Sequence, residues 1–208
     1  MKKQIKTLIA AAIICSSLFS STALHAQLSF GARAGANFAT EPVPGLYHVF
    51  LARPNAGLFA QYNFHSPLGV QVGLTYSGEG ANYRDDATGI TYQVRHAFLN
   101  IPVWAQYKFH FGGYIEAGPQ FGVLLSAKEG ENNSGLTDSK QYYKGTDFGA
   151  GIGFGYEVPK GAVKGFGLNV RYIRGLTNIN KESIQGDDIK TRVLAIGLTY
   201  RISTGGAH

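Results

Sequence analysis

Eight stretches of this 208-residue chain alternate apolar and polar side chains. The pattern predicts an all-β fold, an eight-stranded antiparallel up-and-down transmembrane β-barrel. The clearest two stretches flank a predicted turn at Phe111-Gly112-Gly113. In both, one face is uncharged and apolar over about ten residues, the length that a tilted strand needs to cross a bilayer. The other face carries Lys108 and Glu116 in mid-strand. An apolar exterior around a polar interior is typical of a membrane β-barrel.

The predicted strands cover approximately residues 28–38, 55–64, 68–78, 90–109, 114–125, 146–157, 165–176 and 191–202. In the fourth strand, the apolar set shifts by one residue between Phe98 and Leu99. A β-bulge is the simplest explanation, and Pro102 fits a locally broken ladder. The set that precedes the shift is expected to face outward, and it comprises Tyr92, Val94, His96 and Phe98.

The predicted connections alternate between long and short along the whole chain. The long ones are rich in polar residues and glycine, and they include residues 40–52, 79–89, 127–142 and 177–190. An even strand count with this alternation predicts short turns in the periplasm, long loops outside and both termini in the periplasm. Aromatic residues near both strand ends would form two interfacial girdles. The alternative, a soluble barrel, would require Arg33, Glu116 and Arg171 to face solvent while the aromatic faces pack inward.

Residues 1–26 have the three parts of a cleaved secretory signal peptide, which leaves residues 27–208 as one barrel domain. Lys2, Lys3 and Lys6 form the basic end, residues 8–14 the apolar segment, and Ala26 the small residue before the cut. The only cysteine, Cys15, lies inside this signal, so the mature domain would have no disulfide or thiolate chemistry. Three of the six excess positive charges also lie there. The remaining excess is dispersed, which makes nucleic acid a poor partner.

The polar faces of the strands predict a charge network in the lumen, centred on Glu116. Residue parity places eight charged side chains inward: Arg33, Arg95, Lys108, Glu116, Asp147, Glu157, Arg171 and Arg201. A three-residue turn would put Lys108 directly opposite Glu116, whereas a one-step shift would put Gln106 there. A buried carboxylate without partners would be costly, so we expect Glu116 to be paired.

Three features suggest chemistry, and each has a simpler interpretation. Lipid-modifying barrels place a serine two residues from a histidine, but Phe98 stands two residues after His96, so an interfacial histidine is favoured. The pairs Asp85-Asp86 and Asp187-Asp188 in predicted outer loops have the oxygen ligands that a divalent cation prefers, although solvated loop carboxylates are favoured. The glycine run at residues 149–155 has a strict period of two and no following helix, which favours strand packing over a phosphate loop. We therefore expect no catalytic residue, metal or cofactor.

Several segments resemble the small bacterial outer-membrane β-barrel family known as PorT-like or porin-family proteins. They are Leu99-Asn-Ile-Pro-Val, Tyr114-Ile-Glu-Ala-Gly-Pro, Asp147-Phe-Gly-Ala-Gly-Ile-Gly and Arg171-Tyr-Ile-Arg-Gly-Leu-Thr-Asn-Ile. The resemblance covers most of the mature chain and implies the fold and the outer-membrane location. Such barrels usually end in an aromatic assembly signal. Here Tyr200-Arg201-Ile202 occupies that place and is followed by residues 203–208.

These observations favour a non-enzymatic outer-membrane barrel with a structural, adhesive or envelope-maintenance role. A conducting pore is disfavoured, because side chains just fill the interior of eight strands. The alternatives are an accessory subunit of a protein secretion or transport machine and, less favoured, a lipid-modifying membrane enzyme. We expect a monomer that contacts outer-membrane lipid and lipopolysaccharide, and whose outer loops carry any contact with a protein partner.

Overall fold

The computed structural model describes residues 28–40, 47–64, 66–84, 91–131, 135–179 and 190–203. The predicted signal peptide and the pairs Asp85-Asp86 and Asp187-Asp188 lie outside these residues. The strands are β1 (Leu28–Thr40), β2 (Tyr47–Asn63), β3 (Leu68–Arg84), β4 (Thr91–Lys108), β5 (Gly113–Glu131), β6 (Thr137–Asp138), β7 (Thr146–Glu157), β8 (Phe166–Gly175) and β9 (Arg192–Ser203). A 3₁₀ helix, Lys140–Tyr142, precedes β7. No helix among the described residues is both long and apolar enough to cross a membrane.

Eight long strands close into an antiparallel barrel, as the sequence predicts. Each long strand pairs with its neighbours in the chain, except that the two-residue β6 adds to β5 and leaves β5 paired with β7. The first and last strands, β1 and β9, complete the ring with a continuous register from Ser29–Ser203 to Thr40–Arg192. A closed ring leaves none of the long strands with an unpaired edge, as a sheet in lipid requires.

The two faces of the sheet have opposite chemistry. Large apolar side chains are exposed all around the exterior, including Leu58, Leu198 and Ile152 at 68%, 66% and 64% exposure. The interior contains buried polar and charged groups, among them Gln71, Asn100 and Glu116. Soluble proteins bury the apolar face, so this inverted arrangement fits a bilayer around the barrel.

The two ends of the barrel differ in their connections. At one end, here called the turn end, the strands are joined by the short segments 64–67, 109–112 and 158–165. In the second of these, the Phe109 N–H donates to the Gly113 carbonyl at 2.8 Å and the Gly112 N–H donates to the Phe109 carbonyl at 3.1 Å. Gly112 has a φ of +98°, which favours glycine. The opposite end, where β1 ends and β2 begins, is here called the loop end.

Three strands extend further toward the loop end than the alternation predicts. β2 begins at Tyr47 rather than near residue 55, β3 continues to Arg84 rather than ending near 78, and β5 continues to Glu131 rather than ending near 125. Parts of the predicted loops are therefore strand. The physical reason is that alternation requires one lipid-facing surface. Beyond the bilayer both faces of a strand can be polar, and the period of two is lost from the sequence.

The predicted irregularity near Phe98 exists, but it lies on the other strand. Ala97 is opposite Ser126 and Phe98 is opposite Leu124, so Leu125 is the extra residue on β5. β4 keeps its alternation, and His96 and Phe98 are buried, at 1% and 2% exposure, on the inner face with Asn100. The prediction that His96 and Phe98 face outward is wrong, because an aromatic side chain alone does not distinguish a lipid contact from an interior one. Val94, from the same predicted outward set, also packs against the buried cluster that includes Phe98.

Candidate functional site: the charged lumen

A buried ion pair inside the barrel joins Glu116 on β5 to Arg171 on β8. The Nε of Arg171 donates to Oε1 of Glu116 at 2.6 Å, and its Nη2 donates to Oε2 at 3.1 Å. Both side chains are almost fully buried, at 0% and 2% exposure. Two parallel bonds of this kind fix both position and orientation, and they are among the strongest charge-assisted contacts in proteins.

The intervening strand leaves room for this pair because it carries a glycine there. Gly153 on β7 is opposite Glu116 on one side and Arg171 on the other. A Cβ at position 153 would lie 2.9 Å from Oε1 of Glu116 and 3.0 Å from Cγ of Arg171. The carboxylate and the guanidinium therefore meet above a residue that has no side chain.

Neighbouring inward glycines of β7 have the same relation to two aromatic side chains. A Cβ at Gly151 would lie 2.9 Å from the indole ring of Trp104, and one at Gly155 would lie 2.5 Å from the Tyr114 hydroxyl oxygen. The glycines at residues 149–155 thus leave space on β7 into which the large lumen side chains Trp104 and Tyr114 pack.

Two further side chains complete the centre of the lumen. The Nε2 of Gln106 donates to Oε2 of Glu116 at 2.8 Å and to Oε1 of Gln71 at 2.9 Å. On the other side, the Arg171 guanidinium carbon lies 4.7 Å from the centre of the Trp104 ring, and Trp104 is fully buried. Polar bonds and a cation–π contact together span the interior at this level.

Arg33 and Lys108 are inside the barrel but bond to amides rather than to Glu116. The Nη2 of Arg33 donates to Oδ1 of Asn169 at 3.4 Å, and a Cβ at Gly197 would lie 3.0 Å from that Nη2 and 3.2 Å from that Oδ1. The ammonium of Lys108 donates to Oδ1 of Asn63 at 2.8 Å. The register puts Gln106, not Lys108, opposite Glu116. Of the two registers considered from the sequence, the shifted one is present.

The other predicted members lie toward the two ends of the lumen or outside it. At the turn end, Arg201 forms an ion pair with Glu157. At the loop end, the Asp147 carboxylate accepts hydrogen bonds from the hydroxyls of Thr177 and Thr191.

Arg95 is a correction to the predicted set. Its strand neighbour His96 is buried on the inner face, and Arg95 itself is opposite Lys128, whose side chain is exposed. Arg95 therefore lies on the outer face of the strand. The inward placement followed from assigning the phase shift to β4, which inverted the parity of every residue before Phe98.

Glu79 is a lumen carboxylate that sequence reasoning placed in a loop. It lies in β3 opposite His96 and is 3% exposed. The Ser77 hydroxyl donates to its Oε1 at 2.8 Å, and Asn100 donates to the same oxygen at 3.4 Å. The sequence pattern could have placed Glu79 inside the barrel, because the inward-facing series Gln71, Thr75, Ser77 continues with a period of two to Glu79.

Beside this carboxylate, apolar side chains form a buried cluster in the part of the barrel next to the loop end. The cluster consists of Phe98, Leu124, Ala127, Tyr143 and Ile179. These five residues come from four parts of the chain, because Leu124 and Ala127 are both on β5. The Tyr143 hydroxyl donates to Oε1 of Glu129 at 2.6 Å, and the Tyr143 ring lies 4.4 Å from that of His96. We call these five apolar residues the upper plug. Among the described residues, no group of three or more His, Cys, Asp or Glu side chains is placed to hold a metal ion.

A closed barrel with an apolar exterior and a hydrogen-bonded, charged interior defines an integral β-barrel membrane protein. The chain belongs to the family described as the outer membrane protein beta-barrel domain, whose sequence model matches residues 20–181. This family places the chain in the bacterial outer membrane. The matched region ends before β9.

Solved structures of several outer-membrane proteins are similar to this chain. Ail, the attachment invasion locus protein of Yersinia pestis, has 13% identity over 85% of this chain and 98% of its own, with a TM-score of 0.46. Neisserial surface protein A has 14% identity over 83% and 96%, with a TM-score of 0.43. Escherichia coli outer membrane protein W has 18% identity over 86% and 100%, with a TM-score of 0.43. No curated protein matches the chain.

Proposed function

We propose that this protein is a non-conducting outer-membrane barrel with a structural, adhesive or envelope-maintenance role. The observation that carries the proposal is the Glu116–Arg171 pair, stacked on Trp104 and bonded to Gln106 across the middle of the lumen. The upper plug adds a second, apolar obstruction. An interior held by such contacts supports a scaffold that presents surfaces, rather than a pore or a catalytic cleft.

The proposal includes an orientation and a maturation step. The signal peptide is cleaved after Ala26. The turn end faces the periplasm and the loop end faces outward, where the loops contact lipopolysaccharide or a protein partner. The protein is a monomer. The finer kinship with PorT-like barrels belongs to the same proposal. It is supported by the quoted segments around Leu99, Tyr114, Asp147 and Arg171.

Conductance in planar bilayers tests the closed lumen. We expect the wild-type protein to give no steady ohmic current of porin size. Trp104→Gly removes the largest side chain from the lumen and should allow small, intermittent currents, whereas Tyr107→Ala, on the outer face of the same strand, should not. Steady porin-like current through the wild-type protein would refute the proposal. Intact mass of the outer-membrane protein gives the cleavage site, which should leave Gln27 first.

A further inference from the structure

A separate cavity of about 210 Å³ opens at the turn end of the barrel. It lies between the turn that follows β4 and the connection from β7 to β8. The side chains that determine its chemistry are Lys108, His110, Glu157, Lys164 and Arg201. The cavity shares Lys108, Tyr114, Glu157 and Arg201 with the lumen contacts described above, and its other lining residues belong to the two connections or to the start of β5.

The cavity has more positive than negative charge. Lys108, Lys164 and Arg201 are cationic, and Glu157 is the one carboxylate among the residues that line it. Arg201 already holds that carboxylate in an ion pair. Lys108 donates to the neutral Asn63, so its charge is not matched by an acid in direct contact. The two lysines and Arg201, set against Glu157, give the lining an excess of two positive charges.

The geometry points to a site for a dianionic phosphate group in this cavity, filled either by free phosphate or by the headgroup of a phosphomonoester lipid. A phosphate monoester carries close to two negative charges at neutral pH, which matches the excess. A concave site with low-dielectric walls focuses the field of its cations, and lysine ammonium groups are established phosphate ligands. The exposed Lys164 can close over an anion from the solvent side, while Lys108 and Arg201 face it from the lumen side.

Exposed apolar side chains lie beside the cavity, at a position where both a lipid headgroup and free phosphate have access. Phe109, which lines the cavity, is stacked with Phe111 with ring centres 5.4 Å apart, and the two are 38% and 66% exposed. Val163 on the facing connection is 54% exposed. Exposed aromatic residues of this kind lie at the headgroup level of membranes, so a lipid phosphate and a soluble phosphate can both reach the mouth.

Binding to full-length folded protein tests the site in two arms. The first arm titrates inorganic phosphate into protein in a non-ionic detergent and follows binding by calorimetry. The second compares nanodiscs of phosphatidylcholine with and without phosphatidic acid, and measures retained lipid by native mass spectrometry. Phosphatidylglycerol, a diester with one charge, serves as the lipid control for charge alone.

The variants isolate the cavity from the general charge of the turn end. Lys164→Gln should weaken binding about tenfold, as expected for loss of one charged hydrogen bond. Lys164→Arg should retain most of the affinity. Lys160→Gln is the matched control, because Lys160 is an exposed lysine of the same connection that does not line the cavity. All variants should keep the heat-dependent gel shift of the folded barrel.

Each outcome decides the inference. Binding in the first arm alone identifies a soluble phosphate ligand, binding in the second alone identifies a lipid headgroup, and both sustain the site. The inference is overturned if neither arm shows binding, or if Lys160→Gln weakens binding as much as Lys164→Gln. If phosphatidic acid is retained, retention of phosphatidylglycerol to the same extent overturns it as well, because charge alone would then explain the contact.

Discussion

Glu116 and Arg171 are 55 positions apart in the sequence and lie on strands separated by β7, yet their side chains share two hydrogen bonds in the lumen. The contact is possible because the register brings both to the level of Gly153. Two side chains from β4 also contact the pair, Gln106 at Glu116 and Trp104 at Arg171. The most consequential substitutions should therefore be those that remove one charge, fill the glycine or separate the pair from its neighbours.

Removal of the carboxylate should destabilise the barrel strongly. Glu116→Ala leaves the Arg171 guanidinium buried without its acceptor, and loss of one member of a buried pair typically costs about 3–5 kcal/mol. Urea unfolding in lipid vesicles measures the loss. Glu182→Ala, in a predicted outer loop outside the described residues, is the control. Equal losses, or a loss for Glu116→Ala under about 1 kcal/mol as for exposed pairs, would show that lumen water solvates the carboxylate.

Removal of both charges should be less harmful than removal of either one. The double variant Glu116→Gln with Arg171→Met leaves no unpaired buried charge, and apolar replacement of a buried ion pair is often neutral or better. A double-mutant cycle by urea unfolding should give a coupling free energy of about 1–3 kcal/mol. Additive losses would mean that the two side chains do not interact in the folded protein.

A methyl group at position 153 should disrupt the lumen. Gly153→Ala would bring a Cβ to 2.8 Å from the Val170 carbonyl and 2.9 Å from Glu116, so the backbone or the carboxylate has to move. Overpacking of this kind typically costs about 1–3 kcal/mol. Gly145→Ala is the matched control, since nothing lies within 4 Å of a Cβ there. If both variants unfold at the same urea concentration, the close contact at Gly153 is absent.

Single cysteines should report the orientation of the barrel. The only natural cysteine, Cys15, lies in the predicted signal peptide, so an introduced one is the sole thiol of the mature chain. Gly135→Cys at the loop end should react with a membrane-impermeant maleimide in intact cells. Lys160→Cys at the turn end should react only after the outer membrane is permeabilised. Both residues are exposed, and the reverse labelling pattern would invert the proposed topology.

The sequence predicted the fold where the lipid imposes a pattern. The strands through the bilayer, such as β7 at residues 146–157, are found with the predicted bounds because outward residues must be apolar. The same reasoning placed Glu116 and Arg171 inside the barrel. It could not say that Lys108 bonds to Asn63, because register depends on the exact turn geometry at residues 109–112.

The wrong predictions concern residues near the loop end, where the requirement for apolar lipid-facing side chains no longer applies. Glu79 was assigned to a loop because the outward-facing set of β3 has no large apolar residue after Tyr76. The wrong faces were predicted for Arg95, His96 and Phe98. The sequence does not tell which of two paired strands carries the extra residue of a β-bulge. Only the register, which leaves Leu125 unpaired on β5, assigns it. The site for a dianionic phosphate group arises from residues of three separate segments and has no motif along the chain.

The pairing of β1 with β9 makes the two ends of the folded domain neighbours, with Ser29 opposite Ser203. The β1–β9 pairing is antiparallel and hydrogen-bonded like the other strand pairs, so the barrel does not depend on which connection is the open one. A chain reopened at the Pro159-Lys160-Gly161 turn and joined across the old termini by a short linker has every strand contact it had before. Conversely, a chain that stops before β9 leaves β1 and β8 with bare edges in hydrocarbon, so membrane insertion has to wait for the final strand.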